Sequence, residues 1–138
     1  MRYLALMLLL LCYAPAQAEE LQETIDRCLN VREHLIYRIL RFYHPERNAC
    51  FLGENEKILK EVDKLQDEAR GETAVGKAIY DHVNNLPPAS TVEEQKVAAE
   101  MLVIAKIYVD KAMEKLNEAG ILLERGHQIL TAWLSHSP

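Results

Sequence analysis

Two series of residues that repeat every seven positions near the C-terminus constrain the fold of this chain most. One series is large and apolar, and the other, three positions later, is small until its last member. Such a pair of positions, sustained over about five heptads, is typical of a helix that packs along its length against another helix. The register continues through Gly120, so the pattern predicts one long C-terminal helix over about residues 91–135, roughly 65 Å in length. The large series is Leu102, Val109, Leu116, Leu123 and Leu130, and the small series is Ala98, Ala105, Ala112, Ala119, Gly126 and Trp133.

The apolar residues of the first part of the chain also follow helical spacing. They lie mostly three or four positions apart, whereas a half-buried strand would alternate apolar and polar residues. The residue before a proline is driven out of the helical conformation, so His44-Pro45 predicts the end of this first helix. A loop over residues 44–53 is then expected. The apolar positions are Leu21, Ile25, Cys28, Leu35, Ile39 and Phe42.

A second helix is predicted from about Glu54 to the stop signal NNLPP at residues 84–88. Thr91 and Glu94 then form a Thr-x-x-Glu capping box, which marks the start of the third helix. Short connections make successive helices antiparallel. The sequence therefore predicts an all-α fold, an elongated antiparallel three-helix bundle with coiled-coil-like heptads.

The first 18 residues have the features of a signal peptide that is cleaved on export. Arg2 supplies a positive charge, residues 4–13 are apolar, and Ala16-Gln17-Ala18 matches the pattern of a cleavage site. The apolar run is too short for a membrane span, which takes roughly 20 residues. We expect residues 19–138 to form a single helical-bundle domain that is periplasmic or secreted. Lipidation of Cys12 is disfavoured, because Leu11 is not the small residue that should precede a lipidated cysteine.

Two cysteines, Cys28 and Cys50, remain after such a cleavage. In the oxidising compartment that export implies, an even number of cysteines favours a disulfide. Neither the C-x-x-C spacing of thiol oxidoreductases nor the C-x-x-C-H spacing of haem attachment occurs. We predict that Cys28 and Cys50 are bridged, since a nearly extended segment after the first helix can reach back along it.

The chain is acidic, with a formal net charge of −5 at pH 7. Nucleic acids and anionic membranes attract basic faces, so neither is an expected partner. A local basic run departs from this average, and it fits either a solvated helix face or a docking patch for an acidic protein surface. Arg38 and Arg41 are its candidate partner-binding residues. The run comprises Arg32, His34, Arg38, Arg41, His44 and Arg47.

Glu124 and His127 have the Glu-x-x-His spacing of half a metal site. Di-iron bundles need two such pairs and two further glutamates, and a zinc site needs three or four ligands. The sequence has one pair, so Glu124 and His127 are only weak metal-ligand candidates, and no cofactor is predicted. A bundle that binds a metal, or haem through Met and His ligands, is the alternative functional hypothesis.

Sequence signals of catalysis are missing. The chain has no G-x-S-x-G, no HExxH and no glycine-rich phosphate loop. Its neighbouring carboxylates lie among lysines at helix-surface spacing, where ion pairing explains them. We therefore predict that the protein is not an enzyme.

The long third helix is expected to extend past the junction of the first two. Its end carries an apolar stripe, and either the 44–53 loop or another chain should cover it, because exposed apolar area is unfavourable in water. The functional prediction is an exported protein that binds another protein, or a second copy of itself, through its helix faces. A component of an envelope, secretion or conjugation assembly and an inhibitor or immunity protein against a toxin are the two roles considered. The candidate partner-binding residues are Leu123, Ile129, Leu130 and Trp133, with Arg38 and Arg41.

Overall fold

The computed structural model of the protein describes residues 19–40 and 44–136, without the side chains of Tyr37 and Leu40. The described residues contain helices and no strand, which confirms the all-α fold. The C-terminal helix is long and close to the predicted range, so that prediction is confirmed as well. The predicted signal peptide, Cys12 and Arg41 lie outside the described residues. The helices are α1 over residues 19–29, α2 over Leu35–Leu40, α3 over Pro45–Asn84 and α4 over Val92–Ser135.

The start of α3 shows that the expected loop over residues 44–53 is wrong. The chain is helical from Pro45 onwards, so this proline begins a helix. The second helix therefore starts nine residues before the predicted Glu54. Proline suits the first helical position, because its missing N–H is not needed there and its φ angle is already helical. His44 stays outside the helix, as the residue before a proline should. The restriction applies to His44 alone and leaves the residues after Pro45 free to be helical.

The expected first helix is not continuous either. Helix α1 ends at residue 29, and residues 31–34 are non-helical before α2 begins. The side chain of Asn30 donates a hydrogen bond to the carbonyl oxygen of Asp26 over 2.8 Å, a local contact of the kind that competes with further helical turns. Apolar spacing alone does not reveal this break, since Leu35 and Ile39 continue the pattern and yet are exposed.

The capping box at the start of α4 is confirmed. The hydroxyl of Thr91 accepts the backbone N–H of Glu94 at 3.2 Å, and the Glu94 carboxylate accepts the N–H of Thr91 at 3.3 Å. Ser90 adds its own N–H and hydroxyl to that carboxylate, at 2.8 and 2.9 Å. The hydrogen bonds from Ser90, and then the one from Thr91, lower the pKa of Glu94. The box thus holds a charged carboxylate at the positive end of the helix.

The chain divides into two compact units that share α3 and α4. Among the described residues, unit 1 comprises 19–40, 44–59 and 124–136, and unit 2 comprises 60–123. In unit 1, α1 packs with parts of α3 and α4 around Cys28, Phe51 and Ile129, which are fully buried. The sulfur atoms of Cys28 and Cys50 are 2.09 Å apart, so the predicted pair lies at disulfide distance and connects α1 with α3.

Unit 2 is a helical hairpin in which α3 and α4 run antiparallel and meet along the small heptad series. A Cβ atom added at Gly76 of α3 would lie 3.1 Å from the carbonyl oxygen of Ala105 and 3.2 Å from a methyl carbon of Val109. Glycine and alanine therefore allow the two backbones to approach closely. The buried apolar residues of this contact are Val62, Leu65 and Ala69 on α3 and Ala105, Ala112 and Ala119 on α4.

Glu72 interrupts the apolar spacing of α3, and an ion pair across the hairpin explains it. Lys115 of α4 lies 3.0 Å from the Glu72 carboxylate and 2.9 Å from that of Glu68. The hydrogen bond with Lys115 lowers the pKa of Glu68, and the hydrogen bonds with Glu68 and Glu72 raise the pKa of Lys115. All three side chains are partly exposed, so solvent screens their attraction. Their principal effect is to fix the register of the two helices.

Replacing Gly76 with alanine should destabilise the protein, whereas the same change at Gly71 should stabilise it. Alanine is preferred to glycine inside a helix by about 1 kcal/mol, and both glycines lie within α3. A Cβ atom at Gly71 would meet nothing within 4 Å, but at Gly76 it would press on the backbone of α4. Urea unfolding of the two variants measures the difference. Equal stabilisation by both changes would contradict the close approach at Gly76.

Candidate protein-binding surfaces

Trp133 lies near the end of α4, in the stretch that was expected to extend past the other helices. Its ring stacks on Phe51 with 6.2 Å between ring centroids, and its Nε1 donates a hydrogen bond to Asn48 Oδ1 over 2.8 Å. Phe51 and Asn48 belong to the first turns of α3. The residues that were expected to cover Trp133 as a loop therefore cover it as a helix, and much of the predicted apolar stripe is packed within unit 1.

The other candidates in this stretch differ in their exposure. Ile129 is fully buried in the cluster with Phe51, and Leu130 is half-buried. Leu123 belongs to unit 2 and is 46% exposed. Of these candidates, Leu123 is the most accessible to a partner, while the side chain of Ile129 is enclosed by the core of unit 1.

Glu124 and His127, the weak metal-ligand candidates, are both exposed on α4. Among the residues that the structure describes, no group of three or more His, Cys, Asp or Glu side chains is placed to hold a metal ion. The glycine beside His127 has a packing role, as the heptads indicated. A Cβ atom added at Gly126 would lie 3.1 Å from Asn55 Oδ1 of α3. This stretch is therefore a packing surface on the side of Gly126.

A buried carboxylate that the sequence did not single out lies at the start of α3. Glu33 is 9% exposed, and it accepts the backbone N–H groups of Arg47 at 3.0 Å and of Glu46 at 3.4 Å. It thus caps the first turn of α3 from outside the helix. Burial acts to raise the pKa of Glu33, but hydrogen bonds from the Glu46 side chain and from the Arg47 and Glu46 backbone, with the charge of His44, outweigh it and lower the pKa.

Helix α2 presents an apolar and basic surface in unit 1. Leu35, Ile36 and Ile39 are largely exposed on this six-residue helix, and Arg38 is exposed among them. Arg38 is one of the two arginines proposed for partner binding, and the other, Arg41, lies outside the described residues. The docking role of this basic run stays a prediction.

The large heptad series is an exposed apolar feature of unit 2. Leu102, Val109, Leu116 and Leu123 are 38, 43, 47 and 46% exposed. The reason is geometric, since α3 contacts α4 over the small series and leaves the large residues at the side of the contact. Residues 60–123 are all described, and they supply no third helix to cover this side.

Helix α4 also has apolar residues on the sides that face away from α3. The stretch MLVIAKIYV at residues 101–109 carries a single charged side chain, Lys106. Val103, Ile104 and Ile107 are 60, 47 and 47% exposed. A helix that is apolar on all sides is ordinarily buried. The exposure of this stretch therefore departs from what its composition leads one to expect.

Two concave regions border these residues within unit 2. A pocket of about 710 Å³ lies at the turn between α3 and α4, where Leu86, Pro87 and Val97 contribute to its lining. A groove of about 500 Å³ runs beside Leu116, with Arg70 on its α3 side. Both are open to solvent, and they extend the apolar surface with recesses that a partner's side chains can enter.

The binding residues predicted from the sequence lie mainly at the end of α4, whereas several exposed large apolar side chains lie earlier in that helix. The signal is present in MLVIAKIYV, which lacks the polar face of an amphipathic helix. The sequence pattern did not lead to this surface, because both heptad series were expected to lie in the helix contact. In unit 2 the contact encloses Ala105, Ala112 and Ala119 of the small series, whereas the large series is partly exposed.

Comparisons of the chain with protein-family models, with curated proteins and with solved structures find no match. None of the described helices combines the length and the apolar character required to cross a membrane.

Replacing Trp133 with alanine should lower the free energy of unfolding by about 3 kcal/mol, as truncation of large aromatic core residues does. The change removes both the stacking on Phe51 and the hydrogen bond to Asn48. Leu134→Ala is the matched control, because that neighbouring side chain is 68% exposed and should change stability little. Denaturant unfolding gives both values. Equal, small effects of the two changes would contradict the packing of Trp133 in unit 1.

Replacing Glu33 with glutamine should destabilise the protein most near neutral pH. Because the folded-state pKa of Glu33 is lower than its ordinary value of 4.5, the charged carboxylate stabilises the fold above that value. This stabilisation is lost as the pH falls through the folded-state pKa, so the difference between the wild type and Glu33→Gln should shrink in acid. Urea unfolding at a series of pH values measures it, with the exposed Glu118→Gln as the control. A difference that does not change with pH would contradict the capping role.

Proposed function

We propose that this protein is exported and acts without catalysis, by binding a protein chain through the apolar surface of unit 2. The observation that carries the proposal is the exposure of large apolar side chains along α4 in a stretch with a single charge. We define the unit 2 apolar surface as Val97, Leu102, Val103, Ile104, Ile107, Val109, Leu116 and Leu123.

The free energy available from covering this surface is substantial. Complete burial of one such side chain is favourable by about 1.5–3 kcal/mol, and these residues are roughly half exposed. Contiguous apolar patches larger than a few hundred Å² on soluble proteins mark interaction sites. A protein partner can supply the apolar area and shape that such a surface requires.

The charges around this surface favour apolar recognition over electrostatic recognition. Lys106 is paired with Asp110 at 2.6 Å, and Arg70 is paired with Asp67 at 3.0 Å. Each of these two pairs is electrically neutral as a pair. Docking of a helix against exposed helix faces, through apolar residues three and four positions apart, is the recognition mode that fits.

Export is supported by the signal-peptide features of residues 1–18 and by the cysteine pair at disulfide distance, which suits an oxidising compartment. The non-enzymatic role is supported by the sequence, which has none of the common catalytic motifs. A subunit of an envelope, secretion or conjugation assembly would use the surface for a permanent contact. An inhibitor or immunity protein would use it to block a toxin.

Photo-crosslinking in the producing cells tests the proposal. A photoreactive side chain placed at Val103, or at Leu116 in a second variant, should form protein adducts, because both positions lie on the proposed surface. The control is the same side chain at Asp63, which is exposed on α3 of the same unit. Adducts at the first two positions and not at Asp63 would support binding through this surface. Equal yields at all three positions, or none, would contradict it.

A further inference from the structure

Four residues on the outer side of α4 form a self-complementary pattern. Glu100, Ile104, Ile107 and Lys111 are separated by four, three and four positions, so they lie along one helix face. The two isoleucines are placed symmetrically about the peptide bond that joins Ala105 and Lys106, and so are the glutamate and the lysine. When two copies of this helix lie antiparallel with these points opposite each other, Ile104 of one copy is opposite Ile107 of the other. Glu100 of one copy is likewise opposite Lys111 of the other.

We propose that the outer side of α4, which is the part of the unit 2 apolar surface that carries Ile104 and Ile107, docks a second copy of this chain by an antiparallel contact between two α4 helices. In that contact each isoleucine faces the other isoleucine of the second copy. Glu100 of each chain faces Lys111 of the other, so two ion pairs flank the apolar centre. The inference rests on the proposed function and names the partner of the same surface.

The side chains are available for such a contact. Ile104 and Ile107 are each 47% exposed, and Glu100 and Lys111 are exposed. The ammonium group of Lys111 lies over the ring of Tyr108, 5.5 Å from its centroid, which holds the lysine on this side of the helix. The face points away from the α3 contact. Ala105 is buried against α3, and helix geometry places Ile104 and Ile107 about 100° and about 160° around the helix from it.

Charge complementarity favours a second copy over an unrelated partner. A two-fold contact uses the same patch on both chains, so the patch must complement itself. The arrangement Glu100–Ile104–Ile107–Lys111 meets that condition, with opposite charges at equal distances from the centre. Binding of an unrelated protein would place no such symmetry requirement on this chain.

The same symmetry sets the extent and strength of the contact. Further from the centre, Val97 would face Glu114 of the second copy and Glu93 would face Glu118, and both pairings are unfavourable. Helices that cross at an angle touch over only a few turns, so these glutamates can stay apart. The apolar centre is then small, and the dimer should be reversible rather than permanent.

Sedimentation velocity of the full-length protein, measured over a range of concentrations, tests this contact through charge exchange. The wild type should dimerise reversibly. Glu100→Lys alone and Lys111→Glu alone should each weaken dimerisation about tenfold or more, because each places like charges together at both ends. When mixed, the two variants should associate with each other, since the mixed pair restores both opposite-charge contacts.

Asp63→Lys is the matched control, because it changes the net charge as Glu100→Lys does on an exposed site of α3. It should leave dimerisation unchanged, and circular dichroism should show unchanged helix content in all variants. A wild type that stays monomeric up to about 100 µM, corresponding to binding weaker than about −5.5 kcal/mol, would overturn the inference. So would variants that dimerise like the wild type, or a mixture that does not recover.

The crosslinking experiment separates this failure from failure of the proposed function. Adducts of Val103 or Leu116 with a different protein, together with a monomeric wild type, would overturn the second-copy contact and leave the proposed function standing. The absence of adducts together with a monomeric wild type would contradict both the second-copy contact and the proposed function.

Discussion

The close approach of α3 and α4 across small side chains is the contact on which the rest of the structure depends. In unit 2 the backbones come so near at Gly76 and Ala105 that a Cβ atom added at Gly76 would lie 3.1 Å from the Ala105 carbonyl oxygen, closer than ordinary van der Waals contact. On the α4 side this contact encloses alanine, and the larger enclosed residues, Val62 and Leu65, come from α3. The large heptad residues, such as Leu116, are consequently displaced to its side and stay nearly half exposed. The same interaction that joins the helices therefore creates the apolar surface.

In unit 1 the apolar residues of α4 are enclosed by a different set of contacts. The small heptad series gives way to Trp133, which is too large for a close contact and stacks on Phe51 instead. A third helix, α1, is held there by the Cys28–Cys50 pair and completes an enclosed core. Three packed helices bury what two helices leave exposed, which is why apolar residues of α4 are enclosed in unit 1 and accessible in unit 2.

The functional proposal follows from that contrast within one helix. An enclosed apolar residue such as Ile129 contributes to stability, whereas an exposed one such as Ile107 costs free energy until a partner covers it. The net charge of −5 disfavours the electrostatic attraction on which binding to nucleic acid depends. The symmetric placement of Glu100 and Lys111 around the exposed isoleucines adds a direction and a register, which a purely apolar surface would lack.

The sequence by itself determined the features that depend on local interactions. The periodicity predicted the long helix α4, the Thr-x-x-Glu pattern at Thr91 and Glu94 predicted its start, and the cysteine count with the predicted signal peptide led to the expected Cys28–Cys50 pair. Each of these depends on residues close in the chain or on composition. The tertiary structure decided the rest. Helix α3 begins at Pro45, and the Glu33 side chain, which lies earlier in the chain, caps its first turn. In unit 2 the small heptad series is enclosed and the large one is not. The sequence pattern does not reveal this difference, because the number of helices available to cover each face is a property of the whole chain.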